Sequence, residues 1–186
     1  MFNSIITFGG AYAVILFIII DFIRYRSKNL FKRAILYSFL FYLLFVADRT
    51  IGYLFFPPFE DTYLSFQLIP FYFVRDILFF EVGSWYFWNT IKLSFYNLIM
   101  LAPLGVYLSL LFDVRSMKKA VLIIFSVSFF IEVYQLVFTY FGLTLTRTFN
   151  VDDLILNTLG GVIAFIIFRK IKQYYHLYFK PTKVQS

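Results

Sequence analysis

The sequence contains no cysteine, a single histidine and only 15% charged residues. Without cysteine, disulfide bonds, thiolate catalysis and soft-metal sites are excluded. The chain also lacks Pro/Gly-rich linkers, internal repeats and low-complexity tracts, so nothing divides its 186 residues into separate domains. What the chain has is 61% hydrophobic and 24% aromatic residues, a balance far from that of a soluble domain. The composition therefore predicts an all-α integral membrane protein.

Five apolar stretches have close to the roughly 17 to 25 residues that a membrane-spanning helix needs. They lie near residues 4–23, 34–56, 93–112, 120–142 and 151–168. The first has no preceding positive charges and no small-residue cleavage site, which is typical of an uncleaved anchor. The sequence thus predicts one transmembrane domain over residues 1–186, a bundle of about five helices with its core at 34–168.

Lysine and arginine residues are divided unequally between the two ends of these spans. Residues 24–33, residues 113–119 and the tail at 169–186 hold most of them, whereas the connections on the other side hold only Arg75, Lys92 and Arg147. By the positive-inside rule the N-terminus lies outside and the C-terminal tail is cytoplasmic. Because basic residues flank apolar spans, the net charge of +7 indicates membrane lipids as partners and no nucleic acid. The predicted location is the cell membrane, with several crossings.

The segment 57–92 is aromatic but contains no uninterrupted apolar run of spanning length. Prolines 57, 58 and 70 break it, and Arg75, Asp76 and Glu81 divide it. We expect an extracellular loop between the second and third spans that lies on or dips into the interface, with tryptophan and tyrosine at headgroup level. The loop either covers a site as a lid or has no active role.

Polar residues form a stripe on each of the last two spans. On the fourth span the stripe is Ser128, Glu132, Gln135 and Thr139, and on the fifth it is Asn150, Asp153, Asn157, Gly160 and Ala164. At about 100° per residue each set occupies one face of its helix. Asp152 points away from the second stripe, toward headgroups or another neighbour.

Further polar residues lie near the outer ends of the second and third spans, namely Asp48, Arg49 and Asn97. At about 1.5 Å per residue, Glu132 is near the midplane and the other candidates are in the outer half of the membrane. Because charge facing lipid is costly, we expect the acids to turn inward, with Arg49 or Arg147 as counter-ions. The alternative is that these groups only join helices by hydrogen bonds, and that Gly160, Gly161 and Ala164 allow close packing.

The C-terminal block FFIEVYQLVFTYFGLTLTRTFNVDDLILNTLGG resembles the signature of the VanZ-like family. The segments YNLIMLAPLGVYL at 96–108 and FQLIPF at 66–71 resemble the same family, so the likeness covers about residues 34–168. Asn150 occupies a position where the family often has an acid. The family takes its name from resistance to teicoplanin-type glycopeptide antibiotics in Gram-positive bacteria, and the resemblance implies a role at the cell envelope.

Two functions remain open on these residues. In the first, an outward-facing polar cleft binds an amphiphile, either a lipid-linked cell-wall precursor or the lipoglycopeptide antibiotic. In the second, Glu132 and Asp153 act as catalytic acid and base in a membrane enzyme that modifies an envelope lipid or polymer. The candidate binding residues are Asp48, Arg49, Asn97, Glu132, Gln135, Arg147, Asp152, Asp153 and Asn157.

Several other functions are disfavoured. The only histidine, His176, lies in the tail on the opposite side of the membrane, so histidine-dependent hydrolases are excluded. A transporter is less favoured, because the polar stripe fades below the midplane and no inverted repeat is visible. No metal and no cofactor is predicted, and the sequence leaves the oligomeric state open.

Overall fold

The computed structural model describes residues 2–25 and 29–179 of the chain. In these residues the elements are α1 (Phe2–Tyr25), α2 (Leu30–Ile51), β1 (Ser65–Gln67), α3 (Tyr72–Phe79), α4 (Trp85–Met100), α5 (Ala102–Leu110), α6 (Met117–Tyr140), β2 (Thr148–Asn150) and α7 (Val151–Phe179). The fold is therefore helical, and its only sheet in the described residues is a parallel pair of three-residue strands.

Four helices of the described chain are long and apolar enough to cross a membrane. They are Leu30–Ile51, Trp85–Leu110, Met117–Tyr140 and Val151–Tyr175. The prediction of a helical membrane protein is thereby confirmed. The first predicted span is helical as α1, but α1 is not among these four, so a fifth crossing stays a prediction.

Some helix boundaries differ from those predicted. The second helix ends at Ile51 instead of residue 56, because Gly52 adopts the left-handed φ of 67°. The third span begins at Trp85 instead of 93, because the Ser84 hydroxyl accepts the Phe87 N–H and caps the helix. Residues 85–92 are therefore helical, and the loop between the second and third spans is shorter than predicted. The predicted tail is also partly helical, since α7 continues to Phe179.

The third span is interrupted at Leu101, where α4 ends and α5 begins with Pro103 in its first turn. Proline cannot donate the backbone hydrogen bond that would continue the ladder, so carbonyl groups before it need other donors. The Tyr42 hydroxyl of α2 donates to the Met100 carbonyl at 3.0 Å. The third span is thus broken at this point, and a side chain from α2 supports the break.

Helix α7 packs against α4 and α5 at a backbone distance that only glycine allows. A Cβ added at Gly160 would lie 1.6 Å from the Leu98 carbonyl oxygen, and one at Gly105 would lie 2.0 Å from the Gly161 carbonyl oxygen. Small residues are the usual means of bringing helices together in membranes, where dispersion forces hold them. The expected packing role of Gly160 and Gly161 is therefore present.

Around these glycines lies the apolar core, whose buried members include Leu101, Leu104, Ile124, Ile131 and Phe165. Helix α1 lies against α2, where the Arg33 side chain is ion-paired with Asp21 and donates to the Tyr37 hydroxyl at 2.9 Å. The core thus joins α5, α6 and α7, while α1 is attached through α2.

The turn between α5 and α6 is joined to α7 by a lysine. The Lys172 ammonium donates to the Asp113 carboxylate at 2.7 Å and to the Ser109 carbonyl at 3.0 Å. These contacts lower the pKa of Asp113 below its ordinary value. We call this side of the bundle, which carries Arg115 and residues 118 and 119, the basic end.

Replacing Gly160 by alanine should destabilise the protein, because the added methyl would overlap the Leu98 backbone. Overpacking of this kind costs about 1–3 kcal/mol. Thermal unfolding in detergent should show a lower midpoint for Gly160→Ala than for the wild type. The matched control is Gly9→Ala, where nothing lies within 4 Å of an added Cβ, and there the midpoint should stay or rise. Equal midpoints for both variants would contradict the packing described.

Candidate functional site

At the opposite end of the bundle, the loop segment (residues 52–84) folds back onto the connection between α6 and α7. The Phe55 N–H donates to the Leu143 carbonyl at 2.9 Å, and the Phe59 N–H donates to the Gly142 carbonyl at 3.0 Å. Strand β1 pairs in parallel with β2, with Phe66 opposite Phe149. We call this side of the bundle the loop end. The loop segment is therefore attached to the residues that begin α7, and it holds no helix of spanning length.

Asp152 fastens the loop segment at a second point. Its carboxylate accepts the Phe71 N–H at 2.5 Å and the Phe73 N–H at 2.9 Å, which are free amides at the start of α3. Only 2% of Asp152 is exposed, so of the two expected directions, headgroups or another neighbour, the structure has the neighbour. Its neighbour is the protein backbone of the loop segment. Asp152 thus holds α3 in place and has both oxygens engaged.

Two other acids, Glu132 of α6 and Asp153 of α7, are joined through Asn150. The Glu132 carboxylate accepts the Asn150 backbone N–H at 3.1 Å, and the Asn150 side-chain amide donates to the Asp153 carboxylate at 3.0 Å. The same Asn150 side chain accepts the Asp152 N–H at 2.9 Å, which is the usual way an asparagine starts a helix. Asn150 therefore links α6 to the first turn of α7.

Asn97 completes this arrangement from α4, where it lies beside the Asp153 carboxyl. We call Asn97, Glu132, Asn150 and Asp153 the acid–amide cluster. Glu132 is 3% exposed, and the other three are half-buried. The structure thus brings three predicted residues together and adds Asn150. Buried carboxylates require hydrogen-bond donors, and the amide groups of the cluster supply them.

The arginines expected as counter-ions do not form direct ion pairs with the two acids. Arg147 is exposed, and its guanidinium lies near Gly52. Arg49 lies over the ring of Phe45, 5.3 Å from its centroid. The predicted ion pairs with Glu132 and Asp153 are therefore absent.

The end of α2 is positioned by Gln135. The Gln135 side chain donates to the Thr50 carbonyl at 2.8 Å, and Thr50 is 3% exposed. Gly52 follows, close to the Arg147 guanidinium. Asp48 and Arg49 are exposed near the C-terminal end of helix α2, at the loop end of the bundle. Gln135 thus joins α6 to α2 by a hydrogen bond. This is the role that the sequence offered as the alternative to ligand binding.

Deeper along the same stripes, Ser128 is 0% exposed and Asn157 is 1% exposed. The Ser128 hydroxyl and both polar atoms of the Asn157 side chain have no hydrogen-bond partner. The polar face of α6 and α7 therefore continues one turn beyond the acid–amide cluster, toward the basic end.

Sequence reasoning missed two features of this site. One is the capping of α3, in which the Asp152 carboxylate accepts the Phe71 and Phe73 N–H groups. No local pattern at α3 indicates a partner so distant in the sequence. The other is the linking role of Asn150, which belongs to the predicted polar stripe but not to the candidate binding residues. Its place directly before the acidic first turn of α7 is a helix-start signal. In the described residues, no group of three or more histidine or acidic side chains is arranged to hold a metal ion.

Four helices of spanning length and a cluster of acids and amides packed between them define a helical membrane protein with a polar interior. The family model described as VanZ/LLP1 matches residues 39–173, a range that contains the whole acid–amide cluster. The chain belongs to the VanZ/LLP1 family, as the resemblance of its C-terminal block predicts. Comparisons with curated proteins and with solved structures gave no match.

Replacing Asp152 by asparagine should loosen the loop segment. The amide keeps one oxygen for two N–H donors and loses the negative charge, and hydrogen bonds to a charged group contribute about 1.5–3 kcal/mol. Hydrogen exchange at the amides of residues 71–73 should become at least ten-fold faster. Exchange rates in the rest of the protein should change less. Glu81→Gln removes an exposed acid from the same segment and is the control. Unchanged exchange in Asp152→Asn would show that the carboxylate does not hold α3.

Proposed function

We propose that the acid–amide cluster is the centre of an outward-facing site that binds an amphiphile at the cell envelope. The ligand is a lipid-linked cell-wall precursor or a teicoplanin-type lipoglycopeptide, and its capture confers resistance to that antibiotic. The observation that carries the proposal is the pair of carboxyls from α6 and α7, held by amides directly beneath the loop segment. Two acids at this depth are more than hydrogen bonding between helices requires.

The proposal includes a topology for the chain. Helix α1 adds a fifth crossing, the N-terminus and the loop segment lie outside, and the basic end and the tail from Arg169 lie in the cytoplasm. The distribution of lysine and arginine supports this orientation. Large apolar side chains at 78–85 of the loop end are mostly exposed, including Leu78 at 81% and Val82 at 80%. A lipid interface would cover them.

The carboxylates and arginines at the loop end suit the polar head of an amphiphilic ligand. Carboxylates accept hydrogen bonds from hydroxyl, amide and ammonium groups, which glycopeptides and cell-wall precursors carry. Exposed Arg49 and Arg147 at the same end would pair with carboxylate or phosphate groups of the head. The acyl chain would lie between the helices and the lipid, where its burial adds about 0.8 kcal/mol per methylene.

The second candidate function is catalysis at the same cluster. Glu132 and Asp153 are both hydrogen-bonded to Asn150, which brings two acids to one place, as in many hydrolytic and transfer sites. In this case Glu132 and Asp153 would transfer protons to and from an envelope lipid or polymer. A binding protein returns its ligand unchanged, so mass analysis of the ligand after incubation separates the two functions.

The topology has a direct test because the chain contains no cysteine. Glu81→Cys places a thiol on the loop segment, and Arg115→Cys places one at the basic end, where that side chain is 89% exposed. A membrane-impermeant maleimide applied to intact cells should label Glu81→Cys and spare Arg115→Cys until the membrane is opened. The reverse labelling would invert the proposed orientation, and labelling of both from outside would refute it.

The role of the acids is tested by Glu132→Gln and Asp153→Asn, which keep side-chain shape and remove charge. At matched abundance, each should lower the minimum inhibitory concentration of teicoplanin at least four-fold toward that of cells without the protein. Glu60→Gln, which alters an exposed acid of the loop segment, should leave resistance intact. Full resistance in both cluster variants would refute a binding or catalytic role for the cluster.

A further inference from the structure

We define Ser128 and Asn157 as the inner polar layer. This layer lies between two contacts that join α6 to α7. On the loop-end side, Glu132 of α6 meets the start of α7 through Asn150. On the basic-end side, Ile124 of α6 lies against Gly161 of α7, 2.7 Å from an added Cβ. Ser128 is one helical turn from both Glu132 and Ile124 along α6.

Asn157 has the equivalent place on α7, one turn from Asp153 and one turn from Gly161. Because α6 and α7 run in opposite directions, the two brackets put Ser128 and Asn157 at the same level on facing stripes. They are not hydrogen-bonded to each other or to any other part of the described protein. Ser128 and Asn157 therefore form a polar layer directly beneath the acid–amide cluster.

A buried amide without partners is unfavourable to the fold. It has two donor hydrogens and an acceptor oxygen, and protein interiors normally satisfy each of them. One turn further toward the basic end, the contact between α6 and α7 is apolar, with Ile124 against Gly161. The Asn157 side chain thus gains no hydrogen bond from the described fold, and its donors and acceptor are available to a group that enters from the acid–amide cluster.

We propose that Ser128 and Asn157 form the inner subsite of the ligand site, which receives a neutral group that both donates and accepts hydrogen bonds. A sugar hydroxyl or a peptide amide of the ligand head has this chemistry. The inference rests on the proposed function, and it adds that the head penetrates one helical turn deeper than the two acids. The acids bind the ligand near the loop end, and the inner subsite selects heads with an uncharged polar tip.

The test measures binding to the full-length protein in lipid nanodiscs. Two probes distinguish the possible sources of the head: teicoplanin, and a lipid-linked disaccharide-pentapeptide. The variants are Asn157→Val, which removes the amide, and Ser128→Ala, which removes the hydroxyl. Ser126→Ala is the control, because Ser126 is exposed on the same helix.

For whichever probe binds the wild type, Asn157→Val should weaken binding about ten-fold and Ser128→Ala about three-fold, in the range of one or two neutral hydrogen bonds. The thermal midpoints of both should equal or exceed that of the wild type, because an unsatisfied polar group has been removed. Ser126→Ala should match the wild type in both measurements.

Wild-type affinity in Asn157→Val and Ser128→Ala, with binding lost in Asp153→Asn, would refute the inner subsite and leave the proposed function standing. Weaker binding together with a lowered midpoint in Asn157→Val, and normal binding in Ser128→Ala, would assign Asn157 a purely structural role. Absence of binding of either probe to the wild type would refute the proposed function and the subsite with it.

Discussion

The hydrogen bond from the Asn150 backbone N–H to the Glu132 carboxylate is the contact on which the loop end depends. It fixes β2, and β2 in turn fixes the register of β1 in the loop segment. Two residues further on, Asp152 holds the start of α3. The short stretch 148–153 therefore joins the acid–amide cluster to the loop segment.

The close packing of α7 explains how this polar region can exist within an apolar bundle. Gly160 and Gly161 bring the backbones of α4 and α5 against α7. The helix therefore makes dispersion contacts around residues 160 and 161, closer to the basic end than Asp153 is. The first two turns of α7 can then carry Asp153, which accepts the Asn150 side-chain amide, and the buried Asn157. The glycine-packed part and the polar part of α7 therefore lie at different levels of the same helix.

The parts of the structure that depend on local pattern were predictable from the sequence. The period of 3.6 residues identifies Ser128, Glu132 and Thr139 as one buried face, and the structure buries all three. Pro103 marks the interruption near Leu101. The start of α4 was missed, although Ser84 is a cap residue, because aromatic content and the charges before it indicated a loop.

The features that were not predictable depend on contacts between distant segments. Asp152 lies off the stripe of α7, and only the return of the loop segment gives it the Phe71 and Phe73 amides as partners. The absence of direct arginine pairing has a similar cause, since the backbone and side chain of Asn150 supply donors that the sequence assigned to arginine. Spacing along one helix shows which residues share a face but does not identify what packs against that face.

Photo-crosslinking locates a bound ligand on the protein. A teicoplanin derivative with a photoreactive acyl chain is bound to the protein in membranes, irradiated, and its attachment sites are mapped by mass spectrometry. If the acid–amide cluster binds the ligand, we expect labels on the loop segment and on the turns of α6 and α7 around Glu132 and Asp153, and excess unlabelled teicoplanin should reduce them. Labels confined to the basic end, or labels that excess ligand does not reduce, would contradict binding at the cluster.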